Sequence, residues 1–305
     1  MASVPVRAAG KQDPYTLYGH LTGKTILRPG NLPGLPDTAV IGDELLKKTN
    51  EAVAFLAADF DKIGVAIVPD GKSFTFLLLK SESNKMSSAL ASVPLPSQDS
   101  SQTGFQGSIN FDGGDLDTFL RIYSAILNRT VLRPTNLASP PIYLRSEKSL
   151  NKDEAIYAMT ALLIINGLAV VEDGEKMVQI VARSSVSQVK TNAPQPDAQA
   201  GTIDPKNVPS NKAFTSNTSD LAAYCGALTG RNYMQTNYVD DRLVLFKPQT
   251  PLTTNEMLYA IQKAFALNGL VIVDGPENSF TLATLGGAIQ TGRPAGSKSA
   301  KPKQK

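Results

Sequence analysis

Residues 25–32 read TILRPGNL and residues 130–137 read TVLRPTNL, the same phrase written twice at a spacing of 105. The match extends beyond the octamer. Tyr18 to Leu32 laid on Tyr123 to Leu137 gives seven identities in 15 positions, and Leu150 to Val171 laid on Leu252 to Val273 gives eight in 22 at a spacing of 102. LTGK at 21–24 and LTGR at 228–231 add a third link. Three mutually consistent links mark an internal repeat whose unit is the size of a small domain. A chain of this kind builds its fold from copies, and the copies limit what each can bury.

Composition places the boundaries. The stretches 81–108 and 184–211 are rich in Ser, Pro, Gln and Asn and poor in large apolar residues, and 286–305 is similar. Such segments bury too little apolar area to offset the entropy of ordering, so they read as two linkers and a disordered end. That leaves a first block at 1–80, a second at 109–183 and a third at 212–285. The tail carries Arg293, Lys298, Lys301, Lys303 and Lys305 and no acid; with those five cations set aside, the formal charge falls from +3 to −2. A mildly acidic folded part argues against a broad nucleic-acid face.

The second block has the clearest local pattern. SINF (108–111) reads as a strand. Leu116, Phe119, Leu120, Tyr123, Ile126 and Leu127 then fall on one helical face, with Asp115 and Asp117 in the first turn, where carboxylates suit the helix dipole. TVLRP and PIYLRS alternate as strands. Asn151 with Glu154 forms a capping box for a second helix, and Thr253 with Glu256 repeats it in the third block. Gly167 and Gly269 fit the left-handed position past each helix end, and Asp70-Gly71, Asp173-Gly174 and Asp274-Gly275 mark hairpin turns. Each block therefore reads β-α-β-β-α-β-β, an α+β fold with two helices on one side of a small mixed sheet. The first block fits least well: its opening strand would lie in VPVRA, and GDELLKKTNEAV lacks a clean cap.

At this point the second block resembles the short N-terminal domain shared by secretins and TonB-dependent signalling receptors. The resemblance runs through Phe111, Asp115 and Leu116, Arg129 to Pro134, Ile142 to Ser146, Leu150 with Glu154 and Ala155, and Gly167, Leu168, Asp173, Gly174 and Ile180. It covers about 75 residues of the second block and extends to the third; the first joins through its similarity to the second. No long alternating strands like those of a secretin pore follow the third block. Receptors usually carry one such domain, so three in tandem resemble the periplasmic, ring-building part of a secretin, or a soluble companion of one.

Chemistry has few footholds. His20 stands alone as a histidine and replaces Ala125 and Ala227 of the other blocks; a lone Cys225 excludes an internal disulfide and a cysteine-rich zinc site. Asp115, Asp117, Asp153 and Glu154 sit where capping already explains them. DGG (112–114) and LTGK lack the spacing of a phosphate loop. A KH-like RNA-binding module would need a G-x-x-G loop joining two helices directly, and none is present. The expectation is therefore no catalytic, cofactor or metal residues. Candidates for binding a partner are Arg28, Arg133, Tyr143 and Arg145. The two repeated arginines sit at strand ends, where a locally paired guanidinium competes with a contact to a neighbouring acidic surface.

No run of 18 apolar residues exists, so no membrane span is expected. The opening MASVPVRAAGKQDPY lacks the apolar stretch of a secretory signal, leaving a cytoplasmic protein or an exported segment without its leader. The resemblance favours the second. It implies a periplasmic, outer-membrane-associated scaffold of a secretion or type IV pilus machine that self-associates into a ring or binds other assembly proteins. A monomeric periplasmic peptide- or signal-binding adaptor is the rival of a different class, and a KH-like RNA-binding protein a weaker one.

Overall fold

The computed structural model describes residues 13–35, 46–71, 73–91, 93, 105–138, 140–189, 202–208, 215–236, 239, 241 and 243–285. The opening strand expected in VPVRA and the basic tail at 286–305 lie outside these residues. The protein is α+β. It divides into two compact units: residues 1–127, 138–170 and 181–188 form the first, and 128–137, 171–180 and 189–305 the second. Neither boundary respects the sequence blocks, because the second block contributes to both units.

Unit 1 begins with helix α1 (Pro14–Thr22), strand β1 (Thr25–Arg28), helix α2 (Thr49–Lys62), hairpin β2 (Val65–Asp70) and β3 (Phe74–Leu79), and helix α3 (Lys80–Leu90). From the second block it takes β4 (Gln106–Gly107), β5 (Asn110–Gly114), α4 (Leu116–Leu127), β7 (Ile142–Arg145), β8 (Leu150–Asn151) and α5 (Lys152–Ile165). Its main sheet runs β2-β3-β1-β7-β5. Strand β1 pairs parallel with β3 and antiparallel with β7, at Ile26↔Arg145, Leu27↔Leu144 and Arg28↔Tyr143. The sheet expected within one block is thus completed by the next. The physical reason is the edge: a three-stranded sheet ending at β1 would leave a row of unpaired backbone groups, and β7 satisfies them.

Unit 2 holds β6 (Thr130–Leu132), β11 (Thr202–Ile203), β12 (Thr215–Asn217), α6 (Thr218–Thr229), β13 (Asn232–Tyr233), β14 (Leu243–Leu245), β15 (Leu252–Thr253), α7 (Thr254–Leu267), β16 (Leu270–Asp274) and β17 (Ser279–Thr284). The hairpin β9 (Leu168–Glu172) and β10 (Met177–Ala182) has its tip in this unit and its base in the first. Sheet orders are β6-β10-β9 and β13-β17-β16, each with the parallel-then-antiparallel pattern of β1-β3-β2. The order of elements in the second block recurs in the third, yet the strands of the second block are shared between sheets.

Local signals mostly act as expected. Both capping boxes form, with Asn151 and Glu154 exchanging bonds of 2.9 and 3.0 Å and Thr253 and Glu256 exchanging 3.2 and 2.7 Å. Asp115 caps α4 from just outside it, accepting from the Thr118 N–H at 2.8 Å, and that bond holds its carboxyl below the usual range. Helix α2 has no side-chain cap. One expectation differs: α3 occupies the start of the 81–108 stretch read as linker. Its Met86 and Leu90, one turn apart, are both buried, so two apolar residues suffice to order an otherwise polar helix. The 184–211 stretch likewise holds β11, which pairs with β15.

Gly167 (φ 79°) and Gly269 (φ 71°) follow the ends of α5 and α7 in the left-handed region, and an added Cβ would meet nothing within 4 Å at either. Replacing either by Val is therefore expected to cost roughly 1 kcal/mol through the backbone alone. Urea denaturation of each variant checks this, and an unchanged midpoint would contradict it.

Candidate functional site

The repeated phrase marks a junction, and the junction is built twice. In unit 1 its first element is β1, whose Leu27 is fully buried. Helix α5, the second helix of the next block, packs against this strand. The Gly30 N–H donates to Asn166 Oδ1 at 3.3 Å, while Asn166 Nδ2 donates back to the Leu162 carbonyl at 2.8 Å. An Asn at a helix end thereby closes its own last turn and holds the neighbouring loop. Gly30 is needed for the approach: a Cβ there would lie 2.4 Å from the Pro141 carbonyl oxygen. At the other end of α5, the Tyr157 hydroxyl donates to Asp70 in the β2–β3 turn, and its ring leans on Phe74 at 5.3 Å. Burial pushes the Asp70 carboxyl up.

Unit 2 repeats the arrangement one block later. Leu132 of β6 is fully buried, and α7 packs against that strand. Thr135, aligned with Gly30, sends both its N–H (2.8 Å) and its hydroxyl (2.6 Å) to Asn268 Oδ1. Asn268 Nδ2 donates to the Ala264 carbonyl at 2.7 Å. Tyr259, aligned with Tyr157, donates to Asp173 at 2.8 Å, and Asp173 is also held by Gln179 Nε2 at 2.6 Å. Here β14 pairs with β12 in its own sheet, and the Gln249 N–H reaches Thr130 Oγ1 at 3.3 Å. Two bonds thus recur at corresponding positions: loop N–H to a helix-end Asn, and helix Tyr to a turn Asp.

An ion pair supports the second junction. Lys176 Nζ lies 2.9 Å from Glu256 Oε2. Burial pushes the Glu256 carboxyl up, but the Thr253 N–H and the Lys176 ammonium outweigh it and hold the group below its ordinary value of 4.5. A depressed carboxyl contributes stability that is present above its unfolded value and lost as pH falls through the folded one. Glu256→Gln is therefore expected to flatten the acid limb of unfolding. Denaturation midpoints of the two proteins compared across pH 3–6 check this; parallel curves would contradict it.

The sequence candidates fall as follows. Arg28 is locally paired and is not set on an acidic surface of the neighbouring block. Its guanidinium lies over the Tyr15 ring at 4.6 Å and the Tyr143 ring at 4.1 Å, and pairs with Asp13 at 3.2 Å. Tyr143 comes from the following block, so this arginine does reach across the junction, but through a ring face. Arg145 is half exposed, 3.5 Å from Glu147, which also lies 3.3 Å from the His20 ring. Arg133 belongs to unit 2 and is buried at 4% exposure. A cleft lined by Tyr15, Arg28, Asp112, Tyr143, Arg145 and Glu147 has a volume of about 70 Å³, far below the few hundred that a small-molecule site requires. Tyr15 at its rim donates to the Pro33 carbonyl, stacks on Phe60 at 5.0 Å, and is pushed up to about 12 by burial.

Asn166, Asn268, Tyr157, Tyr259, Asp70 and Asp173 were not singled out by sequence reasoning as contact residues. A usable signal was present: both Tyr and both Asn are identities between the second and third blocks, whereas the first block has Ala54 and Ile63 there. Among the described residues no group of three His, Cys, Asp or Glu side chains could hold a metal ion, and no helix is long and apolar enough to cross a membrane. No protein-family model matches the chain, and neither the curated proteins nor the solved structures contain a match.

Proposed function

We propose that this chain is a non-catalytic scaffold, the periplasmic and ring-forming part of a secretin-type outer-membrane machine for secretion or type IV pilus assembly. The observation that carries the reading is the twice-built junction. A strand and a turn Asp on one block receive a helix, a Tyr and an Asn from the next, in the same polarity each time. Blocks built to be joined in series suit a load-bearing array, and repeated heterologous contacts between protomers close into rings where the rotation permits. The resemblance of residues 111–180 to secretin N-terminal domains supplies the envelope setting.

The adaptor reading needs a groove for a peptide or signal. The Arg28 cleft is the candidate, and its small volume argues against it. Size-exclusion chromatography with light scattering on the full chain, from micromolar to several hundred micromolar, distinguishes the two. A discrete oligomer that grows in with concentration is the expected result. A monomer throughout would favour the adaptor.

A further inference from the structure

Both built junctions set the same helix face on the same sheet face. In unit 1, Tyr157, Ala158 and Ala161 of α5 are at most 3% exposed. The Tyr157 ring leans on Phe74, and Phe76 and Leu78 continue that face of β3 at alternate positions. In unit 2, Met177, Gln179 and Val181 of β10 hold the corresponding positions, and Ala260 of α7 is fully buried. Among the described residues, one such helix face and one such sheet face stay exposed. Helix α2 closes on Ile63-Gly64 as α5 closes on Asn166-Gly167, with φ 79° at both glycines, so Ala54, Phe55 and Ala58 stand where Tyr157, Ala158 and Ala161 do. All three are exposed, Phe55 at 38%. On the third block, Asn232 pairs with Ser279 as Thr25 pairs with Phe74 and Thr130 with Met177. Met234 therefore stands where Leu27 and Leu132 do, and Thr281 and Ala283 where Phe76 and Leu78 do. Leu27 and Leu132 are fully buried, whereas Met234 is 55% exposed and Thr281 and Ala283 are half-buried.

The two exposed faces depart from the built ones in matched ways. The turn position that holds Asp70 and Asp173 is Gly275 in the third block: its N–H bonds to the Ser279 carbonyl at 2.9 Å, as that of Asp173 bonds to the Met177 carbonyl at 3.1 Å. The tyrosine that such an Asp would receive is Ala54 in α2. Bulk is exchanged in the same sense. The built sheet faces set Phe74 and Phe76, or Met177 and Gln179, against helices carrying Ala158 or Ala260. The exposed sheet face has the smaller Ser279 and Thr281, and the exposed helix has the larger Phe55. Each face carries the change that the other calls for. We propose that α2 of one copy docks through Ala54, Phe55 and Ala58 on the third-block sheet of a second copy, over Met234, Thr281 and Ala283. The contact is head-to-tail, so a docked pair still presents one free helix face and one free sheet face, and can extend or close.

This inference rests on the self-association proposed above and names its two surfaces. Its test uses two variants of the full chain, Phe55→Lys and Met234→Lys. Both residues are exposed in the single copy, so each variant should keep the parent Tm. In sedimentation velocity the parent should associate as its concentration rises to several hundred micromolar. Each variant alone should associate about tenfold or more weakly, because docking would bury an ammonium group without a partner. An equimolar mixture of the two should pair as tightly as the parent and stop at the dimer, since one variant keeps the sheet face and the other keeps the helix face. Association of either variant at parent strength would overturn this contact while leaving self-association in place. A mixture no better than the single variants would overturn it in the same way. A parent that stays monomeric would remove the self-association, and this contact with it. A Tm lowered by several degrees in either variant would show its face already covered within one chain, and would also overturn the proposal.

Discussion

Leu132→Ala is expected to destabilise the protein by about 2–5 kcal/mol, the range for a leucine truncated in a packed core. The location of the damage is the informative part. Leu132 lies in the second block of the sequence, but it is fully buried in a core cluster with Leu221, Val244, Phe246, Met257, Ile261 and Phe265 of the third. Amide hydrogen exchange read by mass spectrometry should therefore rise in α6 and α7. Helix α2 anchors a separate cluster of Tyr15, Tyr18, Ile26, Leu56, Phe60, Val65 and Leu77, which shares no residue with the first, so its exchange should hold at the parent level. Exchange rising only in α4 and α5 would mean that Leu132 serves its own block and that the shared junction is wrongly drawn.

That experiment exposes the limit of reading this fold from its sequence. Periodicity, caps and turn glycines are local, and they located the second-block helices, both capping boxes and the left-handed Gly167 and Gly269 with little error. Partnership is not local. Strand β7 alternates as PIYLRS whether its Leu144 faces Leu132 or Leu27; the structure pairs it with Leu27. The octamer's repetition was legible, and so was its character as a strand and its exit. Its second use was hidden because the donor at Gly30 is a backbone N–H, which leaves no mark in a sequence. Arg28 drew attention because a charge stands out, and it does cross the junction, though by lying between two rings. The Tyr and Asn that make the recurring bonds look like ordinary helix residues until the blocks are aligned and the first is found to lack both. Helix α3 was missed for a related reason: its composition is that of a linker, and only the spacing of Met86 and Leu90 betrays a face.

The sharpest test of the junction is Asn268→Ala. Asn268 is 8% exposed, and its side chain makes three bonds: it accepts from the Thr135 N–H and hydroxyl and donates to the Ala264 carbonyl. Truncation leaves a backbone donor and a helix-end acceptor without these partners, and each such buried group costs about 1–3 kcal/mol. The expected loss is therefore about 2–4 kcal/mol by urea denaturation. Asn166→Ala should cost less, because Gly30 offers one donor where Thr135 offers two, and that bond is 3.3 Å rather than 2.8 Å. Asn268→Asp separates the two halves of the role. It keeps an acceptor for Thr135 but removes the donor to Ala264 and sets a carboxylate at the negative end of α7, so it should be destabilising at neutral pH and recover as the acid is protonated. A cycle with Thr135→Ala isolates the hydroxyl bond, with an expected coupling of about 1 kcal/mol. Zero coupling together with equal losses at Asn166 and Asn268 would reduce both residues to ordinary helix caps, and the repeated phrase would then be a strand and its exit with no partner to hold.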